Sequence, residues 1–117
     1  MMGSMSSCPF CLIAAGSIDA DIVYSDDQVV AFRDINPQAP VHVLVIPREH
    51  HANVAELARA DSEQLAALLA AAAQVAESEQ LAAGYRVVIN TGGDGGQTVD
   101  HVHAHVLGGR HLTWPPG

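Results

Sequence analysis

Short apolar runs rich in valine and isoleucine alternate with turn residues along most of this chain, and one longer segment carries its apolar residues at helical spacing. Residues 22–24 and 29–33 read as strands. Ser25, Asp26 and Asp27 between them are turn formers, so the two make a hairpin. Residues 41–46 are a third strand, stopped by Pro47, and residues 36–40 are a loop because Pro37 and Pro40 exclude regular structure. Asp61 with Gln64 resembles a capping box. The helix it opens runs to about residue 83, with Leu65, Leu68, Leu69, Ala72 and Val75 on one face, and Gly84 ends it. Residues 10–15 make a short helix closed by Gly16. Residues 85–90 and 100–107 are two further strands around a glycine-rich loop at 91–98. In the last strand His101, His103 and His105 alternate with Val102, Ala104 and Val106. Strand side chains alternate faces, so the valines and alanine cover a core while three imidazoles share the other side. Hairpin strands, one long helix and two more strands predict an α+β domain with a mainly antiparallel five-stranded sheet.

Composition narrows the function. At 117 residues, 49% hydrophobic and 15% charged, the chain fits one globular domain over 8–117; residues 1–7 are set apart as a disordered or appended N-terminus. A net charge of −8 speaks against non-specific binding to nucleic acid or to an anionic membrane. Residues 65–76 are very apolar but too short to span a bilayer, and no signal peptide is visible, so the expected location is cytoplasmic. All five basic residues are arginine, which excludes a Walker A lysine and a Schiff-base lysine.

Three groups of residues could do chemistry. The loop Asn90-Thr91-Gly92-Gly93-Asp94-Gly95-Gly96-Gln97-Thr98 can turn backbone N–H groups and the Gln97 and Thr98 side chains toward an anion, and phosphate suits donors beside imidazoles. The histidine row admits two readings. It could bind zinc, with His42 as a further ligand from a neighbouring strand. Or one neutral imidazole could attack phosphorus while its other nitrogen is held by an acceptor that fixes the tautomer. Spacing alone does not separate them. Cys8 and Cys11, spaced C-x-x-C, point to metal or redox chemistry.

Two stretches carry a resemblance: PQAPVHVLVIPREH and NTGGDGGQTVDHVHAHVLGGRHLTWPPG. Together they resemble the histidine triad (HIT) family, whose defining motif is His-x-His-x-His-x-x with apolar residues between. The DGGQT and WPPG segments are similar to its Hint branch, the histidine-triad nucleotide-binding proteins. The resemblance covers residues 8–117. It implies an α+β fold whose sheet continues across a homodimer. It implies hydrolysis of P–N bonds in purine nucleoside phosphoramidates, with lysine-linked AMP included, through a nucleotidyl intermediate on His103 and without a catalytic cofactor. His105 would contact the phosphate and leaving-group side, and His101 and His42 would belong to the set that orients His103. Asp34 would accept from the ribose, with Ile35 beside it. Phe10, Ile13 and Phe32 would line the base pocket. Asn90, Gly96, Gln97 and Thr98 would hold the phosphate, and Trp114 would reach the partner subunit's site. Thr98 departs from the serine usual in that branch; the hydroxyl is kept on a stiffer side chain.

The resemblance also implies a structural zinc on Cys8, Cys11, His50 and His101, a closed tetrahedral set. His51 competes with His50 for that role. Other readings stay open at this point: an AMP- or GMP-binding regulatory or scaffold protein, a dinucleoside-polyphosphate hydrolase or nucleotidyl transferase, and a catalytic zinc at His42, His101, His103 and His105.

Overall fold

Five strands of the computed structural model, which describes residues 7–117, form one antiparallel sheet. They are β1 (Ile22–Ser25), β2 (Val29–Arg33), β3 (Val41–Pro47), β4 (Tyr85–Val88) and β5 (Ala104–Gly108), in spatial order β1-β2-β3-β5-β4. The helices among the described residues are α1 (Pro9–Ala14), α2 (Val54–Ala60) and α3 (Ser62–Ser78). The architecture is α+β, as the residue pattern predicts. Among the described residues, no helix is long and apolar enough to cross a membrane. The expected boundary at residues 1–7 falls almost wholly outside the described residues.

β3 is the wall between two cores. Val43 and Val45 pack with Leu57, Leu68 and Val75 from α2 and α3. Leu44 and Ile46 point the other way, onto Cys8, Phe10 and Phe32. A strand buried on both faces has no polar face to alternate with, so its sequence is nearly continuous apolar residues. β5 and the residues leading into it keep the alternation: Val102, Ala104 and Val106 join the first core, while His103 faces Phe10 of the second.

The helices differ from the expected ones in three respects. α3 buries Leu68, Ala71, Ala72, Val75 and Ala76, but Leu69 is turned to solvent and 44% exposed. One residue of helix is about 100° of rotation, which carries Leu69 off the stripe centred on Leu68 and Val75. α3 also ends at Ser78, not near residue 83. Gln80 takes a left-handed φ of 63°, and the Leu81 N–H closes back on the Ala76 carbonyl at 3.0 Å. That turn drops Leu81 into the core, while Gly84 serves the entry to β4. Finally, α2 is an additional helix. Asn53 caps it by accepting from the Glu56 N–H at 2.9 Å, and Asp61 both ends α2 and caps α3 through the Gln64 N–H at 3.1 Å.

The last two strands are shorter than expected. β4 stops at Val88, and the β5 ladder begins at Ala104, opposite Val45. Residues 101–103 bond elsewhere: the Val102 N–H goes to the His51 carbonyl at 2.8 Å and the His101 ring to the Pro47 carbonyl at 2.9 Å.

Candidate functional site

β3 and β5 lie side by side with Leu44 opposite His105, which brings His42 against the histidine row. The hydrogen bonds fix the protonation of each ring. The Gln38 backbone N–H donates to His42 Nδ1 at 3.0 Å. That nitrogen therefore offers a lone pair, and the proton of the neutral ring sits on Nε2. Nε2–H then donates to His105 Nδ1 at 2.9 Å, with the Asp34 carboxylate 3.4 Å away. His105 in turn keeps its proton on Nε2. Burial holds His42 below its ordinary value against the pull of Asp34. Burial, with His103 and His42 as neighbours, pushes His105 down to about 4. Both rings are neutral near pH 7.

His103 has the opposite tautomer. Its Nδ1 lies 2.8 Å from the His101 carbonyl, which can only accept, so in the neutral tautomer Nδ1 carries the proton and Nε2 the lone pair. No described residue hydrogen-bonds that Nε2. Phe10 meets the His103 ring edge-on at 5.0 Å and Phe32 at 5.6 Å, fixing the imidazole by packing.

His103 and His105 open onto a cleft of about 720 Å³. Phe10, Ile13, Ile18, Phe32, Leu44 and Val99 supply apolar walls, and Asp19, Asp21, Asp34, Arg33 and Thr98 supply polar groups. An apolar slot of this size with a few convergent polar groups suits a small organic ligand. Arg33 is not free to meet an anion: its guanidinium grips both oxygens of Glu79 at 2.8 and 3.0 Å.

Behind Phe10 lies a second cluster. The ligand atoms of Cys8, Cys11, His50 and His101 lie within 4.8 Å of one another. His101 Nδ1 is 3.4 Å from Cys8 Sγ, 3.5 Å from Cys11 Sγ and 3.2 Å from His50 Nδ1, and Cys11 Sγ is 3.1 Å from His50 Nδ1. Donor atoms around a tetrahedral zinc are ~3.3–3.8 Å apart, given bonds of ~2.3 Å to sulfur and ~2.05 Å to nitrogen. These four separations lie within about half an ångström of those around zinc, so the cluster fits the metal. Its chemistry fits as well. His101 gives its Nε2–H to Pro47, which leaves Nδ1 bare toward the thiols, and burial pushes this ring down to about 4. Burial and the adjacent Cys8 push the Cys11 thiol up to about 11, so a metal must displace its proton. His51 turns away and bonds Glu49 at 2.9 Å.

Residues 15–112 match the HIT domain family. The chain belongs to the HIT family. It is 52% identical over 103 residues to a 14 kDa zinc-binding protein of Zea mays, a match covering 86% of this chain and 80% of that one. Its fold superposes on a HIT family hydrolase from Legionella pneumophila with a TM-score of 0.91, at 50% identity and covering 95% of this chain and all of that one. A histidine triad nucleotide-binding protein from Candida albicans matches at a TM-score of 0.80 and 30% identity, covering 93% of this chain and 83% of that one.

The site of this HIT domain gathers some expected residues and disperses others. Phe10, Ile13, Phe32, Asp34, Ile35, Thr98, His103 and His105 all line the cleft, Ile35 as a fully exposed residue at its mouth. His42 stands behind His105. His101 reaches His103 through its backbone carbonyl, while its ring belongs to the cysteine cluster. The four imidazoles of His42, His101, His103 and His105 do not form a ligand set. Asp34, His42 and His105 do lie close together, but the Gln38 N–H on His42 Nδ1 keeps Nε2 protonated and unsuited to a metal. Of the glycine-rich loop, only Thr98 lines the cleft. Gly95, Gly96 and Gln97 direct their N–H groups to the Gly92 and Gly93 carbonyls, and the Gln97 amide braces the Ala52 and Val99 carbonyls and the Gly92 N–H. Asn90 packs near Gly96. Trp114 is 81% exposed and lies outside this chain's own cleft. Leu44, Ile18, Val99 and the Gln38 N–H are site groups the motifs do not reveal. Leu44 has a signal all the same, since it lies two residues after His42 on one strand face.

Proposed function

We propose that the protein hydrolyses the P–N bond of purine nucleoside phosphoramidates through covalent catalysis by His103. One observation carries the reading: His103 ties its Nδ1 to a carbonyl and lines an apolar cleft, which leaves Nε2 as the nitrogen free of any hydrogen-bond partner among the described residues. In the first step Nε2 attacks the α-phosphorus, a P–N bond to the imidazole forms, and the bond to the leaving amine breaks. The ring becomes cationic, and the His101 carbonyl stabilises the Nδ1–H that now bears charge. The departing nitrogen needs a proton, and Thr98 and His105 are the protic side chains beside it. In the second step water attacks phosphorus and the bond from phosphorus to His103 Nε2 breaks, while a proton of that water restores the group that protonated the amine; the nucleoside monophosphate leaves and His103 is free again. The His105 Nε2–H donates to a phosphate oxygen, with the Thr98 hydroxyl beside it. Asp34 and Ile35 take the ribose, and Phe10, Ile13 and Phe32 line the base pocket. This chemistry is in line with the hydrolase and nucleotide-binding descriptions of its relatives.

Zinc on Cys8, Cys11, His50 and His101 is structural in this reading. When bound it clamps the N-terminal segment to the residues that carry the triad, and the reaction itself needs no metal. The protein works as a cytoplasmic homodimer, and Trp114 reaches toward the partner subunit's site.

Intact-protein mass spectrometry after brief exposure to a fluorogenic adenosine phosphoramidate tests the proposal. Wild type is expected to carry an AMP adduct that His103→Ala lacks, with turnover lost in the variant. Undiminished turnover in His103→Ala refutes covalent catalysis, and AMP binding without turnover by wild type favours a binding protein.

A further inference from the structure

Across the sheet, Ile22 of β1, Phe32 of β2, Leu44 of β3 and His105 of β5 are successive lateral partners. The row spans three strand spacings, about 14 Å. A nucleotide with its phosphate at His105 and its ring over Phe32 and Leu44 therefore points the far edge of its base toward β1. The segment leading into β1 supplies that end of the cleft wall with Ile18, Asp19, Ala20 and Asp21.

Three aspartates line this cleft, and they differ in what they hold. Asp34 accepts the Asn36 N–H at 2.8 Å and faces His42. Asp21 pairs with Arg33 at 3.6 Å. Asp19 has neither a hydrogen bond nor an ion pair among the described residues. It is an acceptor-only carboxylate set beside apolar walls. A base that slides in beside it displaces water from the carboxylate, and this is unfavourable unless the base returns donors.

Resting on the nucleotide reading of the cleft, we propose that Asp19 is a specificity-determining residue that selects guanine. Guanine presents N1–H and the N2 amino group side by side, a parallel pair of donors that matches the two oxygens of a carboxylate. Hypoxanthine offers N1–H alone. Adenine offers one amino hydrogen and turns the N1 lone pair on the second oxygen, so two acceptors face each other. The preference expected from one bidentate, charge-assisted pair at a solvent-facing rim is about tenfold.

Calorimetric titration of GMP, IMP and AMP into wild type, Asp19→Asn and Asp19→Ala decides this. Wild type is expected to bind GMP about tenfold more tightly than AMP, with IMP between them. Asp19→Ala should collapse the three affinities together. Asp19→Asn should shift the preference toward AMP, because a carboxamide can accept from the adenine amino group and donate to N1. Asp19 is exposed and makes no internal contact that folding depends on, so both variants fold. Equal affinity of wild type for GMP and AMP, or a GMP-to-AMP ratio untouched in Asp19→Asn, overturns the inference while leaving the cleft a nucleotide site. If wild type binds none of the three, the nucleotide reading itself fails and the inference with it.

Discussion

Acid should destabilise this protein in a window set by His105, and the effect can be isolated by one substitution. The ring is enclosed by His103, His42, Asp34 and the cleft wall, and its folded pKa is about 4 against an ordinary 6.5. Above about pH 6.5 the ring is neutral whether the chain is folded or not, and the native state has its full stability. As pH falls from there, the unfolded chain takes up a proton that the native ring refuses until about pH 4. Stability therefore falls with falling pH throughout that window. Two and a half pH units at about 1.4 kcal/mol each give about 3 kcal/mol in all, of which about 2 kcal/mol is lost between pH 7 and pH 5. That is a large part of the roughly 5–15 kcal/mol that holds a domain of this size. Urea unfolding at pH 7, 6 and 5, with wild type beside His105→Asn, measures it. Asparagine can still accept the His42 Nε2–H but does not titrate, and every other ionisable group is common to both proteins. The variant should be less stable at pH 7 and lose about 2 kcal/mol less on going to pH 5. Parallel decline of the two proteins would refute the argument that burial keeps this ring neutral.

Other outcomes follow from the two clusters and the glycine loop. Cys11→Ser should lower zinc content, measured by atomic absorption, from stoichiometric to substoichiometric, with affinity weakened at least about a hundredfold. Gly95→Ala should cost about 1–3 kcal/mol by urea unfolding, because its Cβ would collide with the Thr91 carbonyl, a backbone group that cannot swing aside. Gly93→Ala meets nothing within 4 Å and should be silent in the same assay; equal effects at the two positions would show that the loop is not shaped by that contact.

The strands were the most legible part of the chain, since β-branched runs bounded by Pro, Gly and Asp leave few alternatives. The residues on each face of β5 could be read from the alternation of valine and histidine. Its start could not, because the ladder begins only after the Val102 N–H has gone to His51 and the His101 ring to Pro47, which are distant in sequence. α3 was read too long for a similar reason. Gln80, an unremarkable helix former, takes the left-handed turn so that Leu81 can bury, and only the tertiary core demands that. α2 did carry a local sign, Asn53 followed by Glu56 and an apolar pair at Val54 and Leu57, but seven residues give too few turns to display a period. The clustering of Cys8, Cys11 and His50 with His101 was expected from resemblance alone, because nothing in the spacing of residues 8, 50 and 101 brings them together. Their meeting depends on α1 packing over β3. The self-satisfied hydrogen bonding of Gln97 was not legible at all, since donor-rich side chains look alike in sequence whether they face a ligand or their own loop.

The protonation of two histidines rests on a single main-chain amide. Replacing the Gln38 side chain with alanine leaves that N–H in place, so an alanine scan of the loop would pass over the group that sets both tautomers. Only proline removes it, and proline already stands on either side of the segment at positions 37 and 40. The arrangement makes the relay silent to side-chain mutagenesis at its origin, though open to it at every histidine downstream. A survey of this protein built from side-chain truncations alone would credit His42 and His105 with an orientation that the peptide backbone imposes on them.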